Sequence, residues 1–402
     1  MPSSRPCNAA EPRVNEHMTD NAAERPLTGL RVAYLLEAPE AVGPNVRQQM
    51  AALRRLGATV TACFLTGNPD TFSVEDEADK LSGLGHTPGA ISGSRIKAAK
   101  SLRQWLNQHP IDLVICDQYK AITTGVLATL LPMKNRPRII ALLRGFYAVS
   151  SRGRRRFYRL LRHRISSILT ISKAHQAEIR HSMPWYPSSQ IFSLTNYLDT
   201  QALAHRLIER KQAREALGLD PDLFTFGTVC RFDPYKRVID LVRATVHLRR
   251  RVRTPFQVAI IGSGKAEEGI RNEVRLLQLE DVICLTGRVE QASRYMRAFD
   301  AFVFPSVGDS FGRVLLEARA ATLPIIAANS AGPPEVVGPY GLLAEPVSPK
   351  HLASKMEQLL TMPASARIQL GTKGLEWSDK VFTSTSLEKD LLAAIKQVIS
   401  SN

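Results

Sequence analysis

With 402 residues, 44% hydrophobic and 22% charged, the chain is too long for one ordinary core and too apolar for disorder beyond its ends, so two globular domains are expected. Its five cysteines (Cys7, Cys63, Cys116, Cys230, Cys284) are odd in number and lack CxxC or metal-like spacing, no apolar run approaches the roughly 18–20 residues of a bilayer span, and the polar first 28 residues lack a signal-peptide core; a reduced, cytoplasmic protein is the expectation. The formal net charge of +16 points to an anionic partner, whether nucleic acid, anionic lipid or a phosphorylated substrate.

Residues 1–28, rich in Pro, Asn, Glu and Arg without periodicity, are expected to form a disordered tail. From Leu30 onward, apolar runs LRVAYLL (30–36), ATVTACFL (58–65), IDLVICD (111–117), RPRIIALL (136–143) and SSILTIS (166–172) alternate with helix-like segments such as VRQQMAALRRL (46–56) and KAHQAEIRH (173–181). The rhythm pauses over residues 193–222, where a charged segment ends in a turn-forming DPD. A second series follows: FTFGTVC (224–230), FQVAIIG (256–262), DVICLTG (281–287), AFVFP (301–305) and LPIIAA (323–328). Alternation of this kind predicts an α/β fold of two tandem, doubly wound, Rossmann-like parallel sheets, with ligands at the carboxyl ends of the strands. The boundaries read as 29–198, 199–382 and a helix-like end at 383–402.

Three stretches carry candidate chemistry. VAIIGSGKAEEG (258–269) looks like a phosphate grip, yet Ala259 and Ala266 stand where a P-loop needs glycine and a magnesium-binding hydroxyl, and GxGxxxxG is not the dinucleotide spacing. It reads as a strand-to-helix turn near a ligand. CRFDPYKRVIDLVRA (230–244) places Arg231 and Lys236 either side of a proline turn before a helix; a guanidinium, an ammonium and helix amides suit a diphosphate, while the plainer reading is solvated surface cations. PSVGDSFGRVLLEARA (305–320) sets Asp309 in a strand-end loop and Glu317 about two turns along the next helix, with Phe311 and Gly312 at the helix start. One acid at the helix tip can bond hydroxyls at a reacting end and the deeper one a ribose diol.

In order and interval these motifs resemble glycosyltransferase family 4, retaining enzymes of the GT-B fold, and the resemblance runs over nearly the whole chain after residue 28. It implies that Arg231 and Lys236 grip a nucleotide-sugar diphosphate, Glu317 the ribose and Asp309 the transferred sugar. TGRVE (286–290) would line the base through Gly287 and Val289, and AGPPEVV (331–337) corresponds to the family's GGxPE segment. AVGPNVRQQM (41–50) resembles its glycine loop, with Gly43 facing phosphates and acceptor; SLTNYLDTQAL (193–203) resembles its PNGVD linker, keeping Asn196 and Asp199. The closing helix in this fold often crosses back to the first domain.

The chain departs from the pattern in places. Asp309 replaces the commoner glutamate, and Cys230, Tyr197, Ala331 and Thr322 stand where glycine is usual. Where relatives often carry an acceptor-side histidine, Asp117 ends the strand with Lys120 nearby; it reads equally as an orienter of the acceptor hydroxyl or as a strand-end turn residue. The acidic groups Asp220-Pro221-Asp222 and 75–77 lie away from strand ends, and GT-B enzymes stabilise the departing diphosphate with cations and helix dipoles, so neither metal nor other cofactor is expected.

RGRRRFYRLLRHRISS (152–167) contains no acid, and Phe157, Leu160, Leu161 and Ile165 fall at helical spacing among arginines. It reads as a helix whose stripe packs inward while its arginines offer a peripheral contact with anionic membrane at the cytoplasmic face. No nucleic-acid motif accompanies the charge. The expected activity is transfer of a sugar to a hydroxyl of a glycan or lipid-linked acceptor, in polysaccharide or lipopolysaccharide synthesis. The alternatives are a nucleotide-sugar epimerase, or a basic membrane- or nucleic-acid-binding protein with a degenerate site.

Overall fold

A computed structural model describes residues 25–400 except 74, 75, 90 and 92–94. Seven strands form the first sheet: β1 (Arg31–Leu36), β2 (Thr59–Thr66), β3 (Lys80–His86), β4 (Leu113–Asp117), β5 (Arg138–Leu142), β6 (Ser167–Thr170) and β7 (Ile191–Ser193), in the order β3-β2-β1-β4-β5-β6-β7. Six form the second: β8 (Phe224–Val229), β9 (Phe256–Ile261), β10 (Ile283–Gly287), β11 (Ala301–Phe304), β12 (Ile325–Ala328) and β13 (Leu342–Ala344), in the order β10-β9-β8-β11-β12-β13. Every pairing is parallel. These are two Rossmann-like sheets, as the alternating runs predict.

The central strands are apolar because helices cover both faces; all six residues of β9 are buried. Three of the four edge strands, β3, β7 and β13, escape the sequence reading, while the fourth, β10, is read from DVICLTG. The three are short or half-exposed, as in KLSGLGH of β3, so no continuous apolar run marks them.

Two expectations are corrected. Residues 25–28 belong to the folded body: Leu27 is buried in the first core and its amide donates to Leu56 O at 2.9 Å. Residues 1–24 lie outside the described residues, as does Glu75. The basic segment is not one helix to residue 167. A helix spans Arg152–Leu160 and a 3-10 turn follows at Arg162–Arg164. Tyr158 is its buried anchor and Ile165 is buried beyond it, whereas Leu160 is 75% exposed.

The helix Ser384–Ser400 packs on the helix Pro44–Arg55 and on β6 and β7. Glu388 pairs with Arg55 at 2.6 Å, and Asp390 accepts from the Thr195 amide and hydroxyl at 2.8 and 2.7 Å. The last helix of the chain thus ties the second sheet's domain to the first. In the linker, Asp199 caps the helix Thr200–Ala204 and buried Asn196 donates to Ile171 O at 2.8 Å.

The glycine turn after β9 serves close packing. A Cβ on Gly262 would lie 1.9 Å from Cys230 O and one on Gly264 2.9 Å from Phe232 N. The turn therefore presses against the backbone of the Arg231 loop, with Phe232 N donating to Ser263 O at 2.8 Å. Thr322 and Ala331, which occupy positions where glycine is usual, both adopt left-handed backbone (φ 56° and 57°). Such a conformation costs an L-residue about 1 kcal/mol or more, and a β-branched one most. Thr322→Gly is expected to raise stability by about 1 kcal/mol in chemical unfolding, and Gly262→Ala to lower it by about 2–3 kcal/mol. A loss of stability in Thr322→Gly would show that the threonine is not strained.

Candidate active site

In each sheet the winding direction reverses once, between β1 and β4 and between β8 and β11. The loops leaving the carboxyl ends of those strands diverge and open a crevice. Gly43 follows β1, Asp117 ends β4, Arg231 and Lys236 follow β8, and Asp309 follows β11. These five sequence-predicted residues therefore sit at the switch points, whereas Gly287 and Val289 follow β10 and Glu317 lies within the helix Arg313–Ala320.

At the second-domain crevice Lys236 Nζ lies 2.7 Å from Asp309 Oδ2, with only 13% and 16% of the two side chains exposed. The ammonium also lies 5.0 Å from the Tyr235 ring centroid and 5.3 Å from that of Phe304, and Val307 N donates to Tyr235 O at 2.9 Å. The Ser306 hydroxyl donates to the same carboxylate oxygen. These contacts hold both charges at one point of the cleft wall. Arg231 is not drawn into this cluster: it is 77% exposed and pairs with Asp233 at 2.7 Å. Its guanidinium remains within electrostatic reach of Asp309.

Gly312, in left-handed backbone at φ 86°, starts the helix Arg313–Ala320. The ring of Phe311, which the family resemblance offers as a donor-side residue together with Gly312, is buried and packs edge-on to Phe382 at 5.5 Å. Glu317, further along this helix, is pushed above the usual carboxylate range by burial, with Arg313 partly opposing that shift. Gly332 packs directly on the loop, since a Cβ there would lie 2.2 Å from Ser310 O. On the far side of the domain crevice a register shift between Leu285 and Gly287 ends β10, and Gly287 (φ 74°) turns the chain toward half-buried Val289.

Contacts that sequence reasoning missed bring the two domains together at this point. Ser310 Oγ donates to Arg144 O at 3.0 Å. Arg313 bonds Asn45 Oδ1, and reaches Gln48 Oε1 and Tyr197 O at 3.3 Å each. Glu335 of the AGPPEVV segment accepts from the amides of Lys173 and Ala174 at 2.9 and 3.4 Å, capping the helix Lys173–Ser182 of the other domain. Nothing in the local sequence marks Arg144, Arg313 or Lys173 as partners, because each pair is far apart in the chain.

The first-domain wall is built around Arg144. Its guanidinium pairs with buried Asp117 at 2.5 Å, and a Cβ on Gly43 would lie 4.0 Å from its Nη1. Burial pushes the Asp117 carboxyl up to about 6, with Arg144 lowering it and Glu37 raising it. His175, at the start of the helix that Glu335 caps, is buried beside Phe146 and burial lowers it to about 4. A carboxyl-carbon NMR titration of Asp117 is expected to show a midpoint near pH 6 (about 6). Arg144→Gln should move it upward, because removing the cation leaves the anion buried without its partner. A midpoint near 4 (about 3.9, the ordinary value) would remove the strained ion pair.

Comparison with known proteins places this geometry. The family model "Glycosyl transferase 4-like domain" matches residues 40–191 and "Glycosyl transferases group 1" matches residues 209–377. The chain is similar to the D-inositol 3-phosphate glycosyltransferase of Rhodococcus erythropolis, 31% identical over 166 residues that make up 39% of this chain and 37% of that protein. The match thus spans little more than a third of that relative. In structure it is similar to HepE of Anabaena, solved in complex with UDP (TM-score 0.74, 17% identity, 91% of this chain and 100% of that one). It is also similar to sucrose-phosphate synthase of Thermosynechococcus elongatus (TM-score 0.70, 18% identity, 93% and 100%). Between them the two models take in the second sheet and most of the first, and the solved structures share the two-sheet architecture: the chain belongs to the family-4 type glycosyltransferases of GT-B fold.

Proposed function

We propose that the protein moves a sugar from a nucleotide-sugar donor to a hydroxyl of a glycan or lipid-linked acceptor, with retention at the anomeric carbon. The observation that carries this reading is the Lys236–Asp309 pair, held at the switch point of the second sheet and facing the Arg144 wall of the first. In it, Lys236 and the exposed Arg231 take the donor diphosphate, joined by the amides at the Gly312 end of the helix Arg313–Ala320. Asp309 receives the hydroxyls of the transferred sugar, Glu317 the ribose, and the Gly287 turn the base. HepE has also been solved with UDP-glucose, which makes UDP-sugars the first donors to examine.

In the transfer step the bond between the anomeric carbon and the diphosphate oxygen breaks, and the bond to the acceptor oxygen forms on the same face. The acceptor proton passes to the departing phosphate. Charge developing on that phosphate meets Lys236, Arg231 and helix amides, so the step asks for no metal. Asp117 acts behind the wall: its carboxylate is turned to Arg144, and it positions that side chain rather than touching the acceptor. We place the reaction in envelope polysaccharide or lipopolysaccharide synthesis at the cytoplasmic face of the membrane. The exposed Leu160 among the arginines of Arg152–Leu160 supports a peripheral contact there; among the described residues, no helix is long and apolar enough to cross a bilayer.

Lys236→Ala and Asp309→Asn are each expected to lower kcat about 10²–10³-fold, and Glu317→Ala to raise the donor KM. Transfer should persist in EDTA. A cognate UDP-sugar at 100 times its Kd should stabilise the fold by about 2.7 kcal/mol. Donor turnover without any acceptor would instead favour epimerisation, and full activity in Lys236→Ala would overturn the assignment.

A further inference from the structure

A cation crosses the cleft beside the Asp309 loop. Arg313 opens the helix Arg313–Ala320, directly after Gly312 and one turn before Glu317. Its Nη1 donates to Asn45 Oδ1 of the first domain and reaches Gln48 Oε1 and the linker carbonyl of Tyr197 at 3.3 Å each. Asn45 and Gln48 are three residues apart at the start of the helix Pro44–Arg55, so both amides meet the guanidinium from one face of that helix. Burial lowers the Arg313 pKa from its usual range, while Glu317 on its own helix and then Tyr197 oppose the shift. A half-buried guanidinium bonded to neutral oxygens costs stability that an apolar side chain of similar length would not. Packing alone therefore does not account for an arginine at this position.

Its partners do. Asn45 follows Gly43 and Pro44, and a Cβ on Gly43 would lie 4.0 Å from Arg144 Nη1. Arg144 O in turn accepts from Ser310 Oγ at 3.0 Å. Ser310 to Arg144, Arg144 to Gly43, and Asn45 to Arg313 thus make a closed ring of contacts around the residues that follow Asp309. One bond across a cleft leaves a pivot, whereas two bonds three residues apart also resist rotation. Lys236, Arg231, Asp309, Glu317 and the Gly287 turn, which carry the donor in the reading above, all lie in the second domain.

We propose that Arg313 is a positioning residue for transfer: it holds the Gly43–Asn45 start of the first domain's helix in register with the sugar at Asp309, and it serves the transfer step instead of donor affinity. The inference rests on the reading of the cleft as a transfer site. Arg313 touches no reacting atom and acts through Asn45 and Gln48. A displacement of about 1 Å between reacting groups can cost about 10²-fold in rate, so loss of this contact belongs in kcat.

The experiment compares the full chain with Arg313→Met, Arg313→Lys, Asn45→Ala and Arg313→Met/Asn45→Ala. Amide hydrogen exchange is followed over residues 43–48, with the helix Ile96–Gln108 of the same domain as control. Turnover is followed as UDP released from UDP-glucose with water as acceptor, alongside the thermal shift produced by UDP. In Arg313→Met, exchange over 43–48 is expected to rise about tenfold, the scale of one hydrogen bond to a charged group, with the control helix unchanged. Its kcat should fall about 10–10²-fold while the UDP-glucose KM and the UDP thermal shift are retained. Arg313→Lys, which restores the charge and no packing that methionine lacks, should recover part of both losses. Asn45→Ala removes the contact from the other side and should show the same pattern even where Arg313→Met does not fold; the double variant should be no worse than Arg313→Met, since the two changes remove one contact. Unchanged exchange over 43–48, acceleration of the control helix without recovery in Arg313→Lys, additive losses in the double variant, or a raised KM at unchanged kcat would each overturn the proposal. Failure of the donor reading would show differently, as no UDP thermal shift in the wild type, and the exchange measurement would still decide whether Arg313 holds the Gly43 loop.

Discussion

A parallel sheet whose strands wind outward in both directions from its middle must leave a crevice where the winding reverses, because the connections on either side of that point run to opposite faces. This chain has that constraint twice. The reversal between β1 and β4 leaves Gly43 and Asp117 at one rim, where Asp117 holds Arg144 from the loop after β5, and the reversal between β8 and β11 leaves Arg231, Lys236 and Asp309 at the other. Each side chain with plausible chemistry is placed by a loop that a rigid, buried strand delivers. Movement of one strand by a residue would turn those loops away from the cleft.

The electrostatics of the two rims differ. In the second domain each cation has an acid at hand, Lys236 with Asp309 and Arg231 with Asp233, so an incoming diphosphate exchanges one set of charge partners for another. In the first domain Arg95, Lys120, Arg144 and Arg154 line one cavity, with Lys120 paired to Glu37 and Arg144 to Asp117. A net charge of +16 is thus partly concentrated beside the place where reacting groups would meet, instead of being spread evenly over the surface.

Contacts across the cleft turn two sheets into one site. Arg313, Ser310 and Glu335 all belong to segments that also shape the Asp309 loop, and each bonds the opposite domain. The helix Ser384–Ser400 adds a covalently tethered clamp on the outside. Positive-φ backbone at Ala331 lies beside this loop, so the second domain carries local strain at the surface that defines the cleft, whereas Thr322, before β12, sits at the opposite end of the sheet.

Much of this was legible in the order of residues. Strands buried on both faces must be apolar throughout, so nine interior strands announce themselves as runs such as LRVAYLL and FQVAII, and the edge strand β10 shows as DVICLTG. The spacing from Arg231 to Lys236 and from Asp309 to Glu317 also survives in a linear text, since each pair sits on one loop or one helix. Edge strands β3, β7 and β13 were hidden because an edge has only part of its surface to bury. The exposed Leu160 was misread because helical spacing states which residues share a face and not what that face meets. The sequence by itself determined the two-sheet class, the order of the motifs and the residue types at the strand ends, all of which depend on local periodicity and chain order. Only the tertiary structure decided that Lys236 touches Asp309, that Arg144 joins Asp117 to Ser310, and that Arg313 meets Asn45 across the cleft. Those meetings depend on how distant segments fold against one another, and no local pattern encodes that distance.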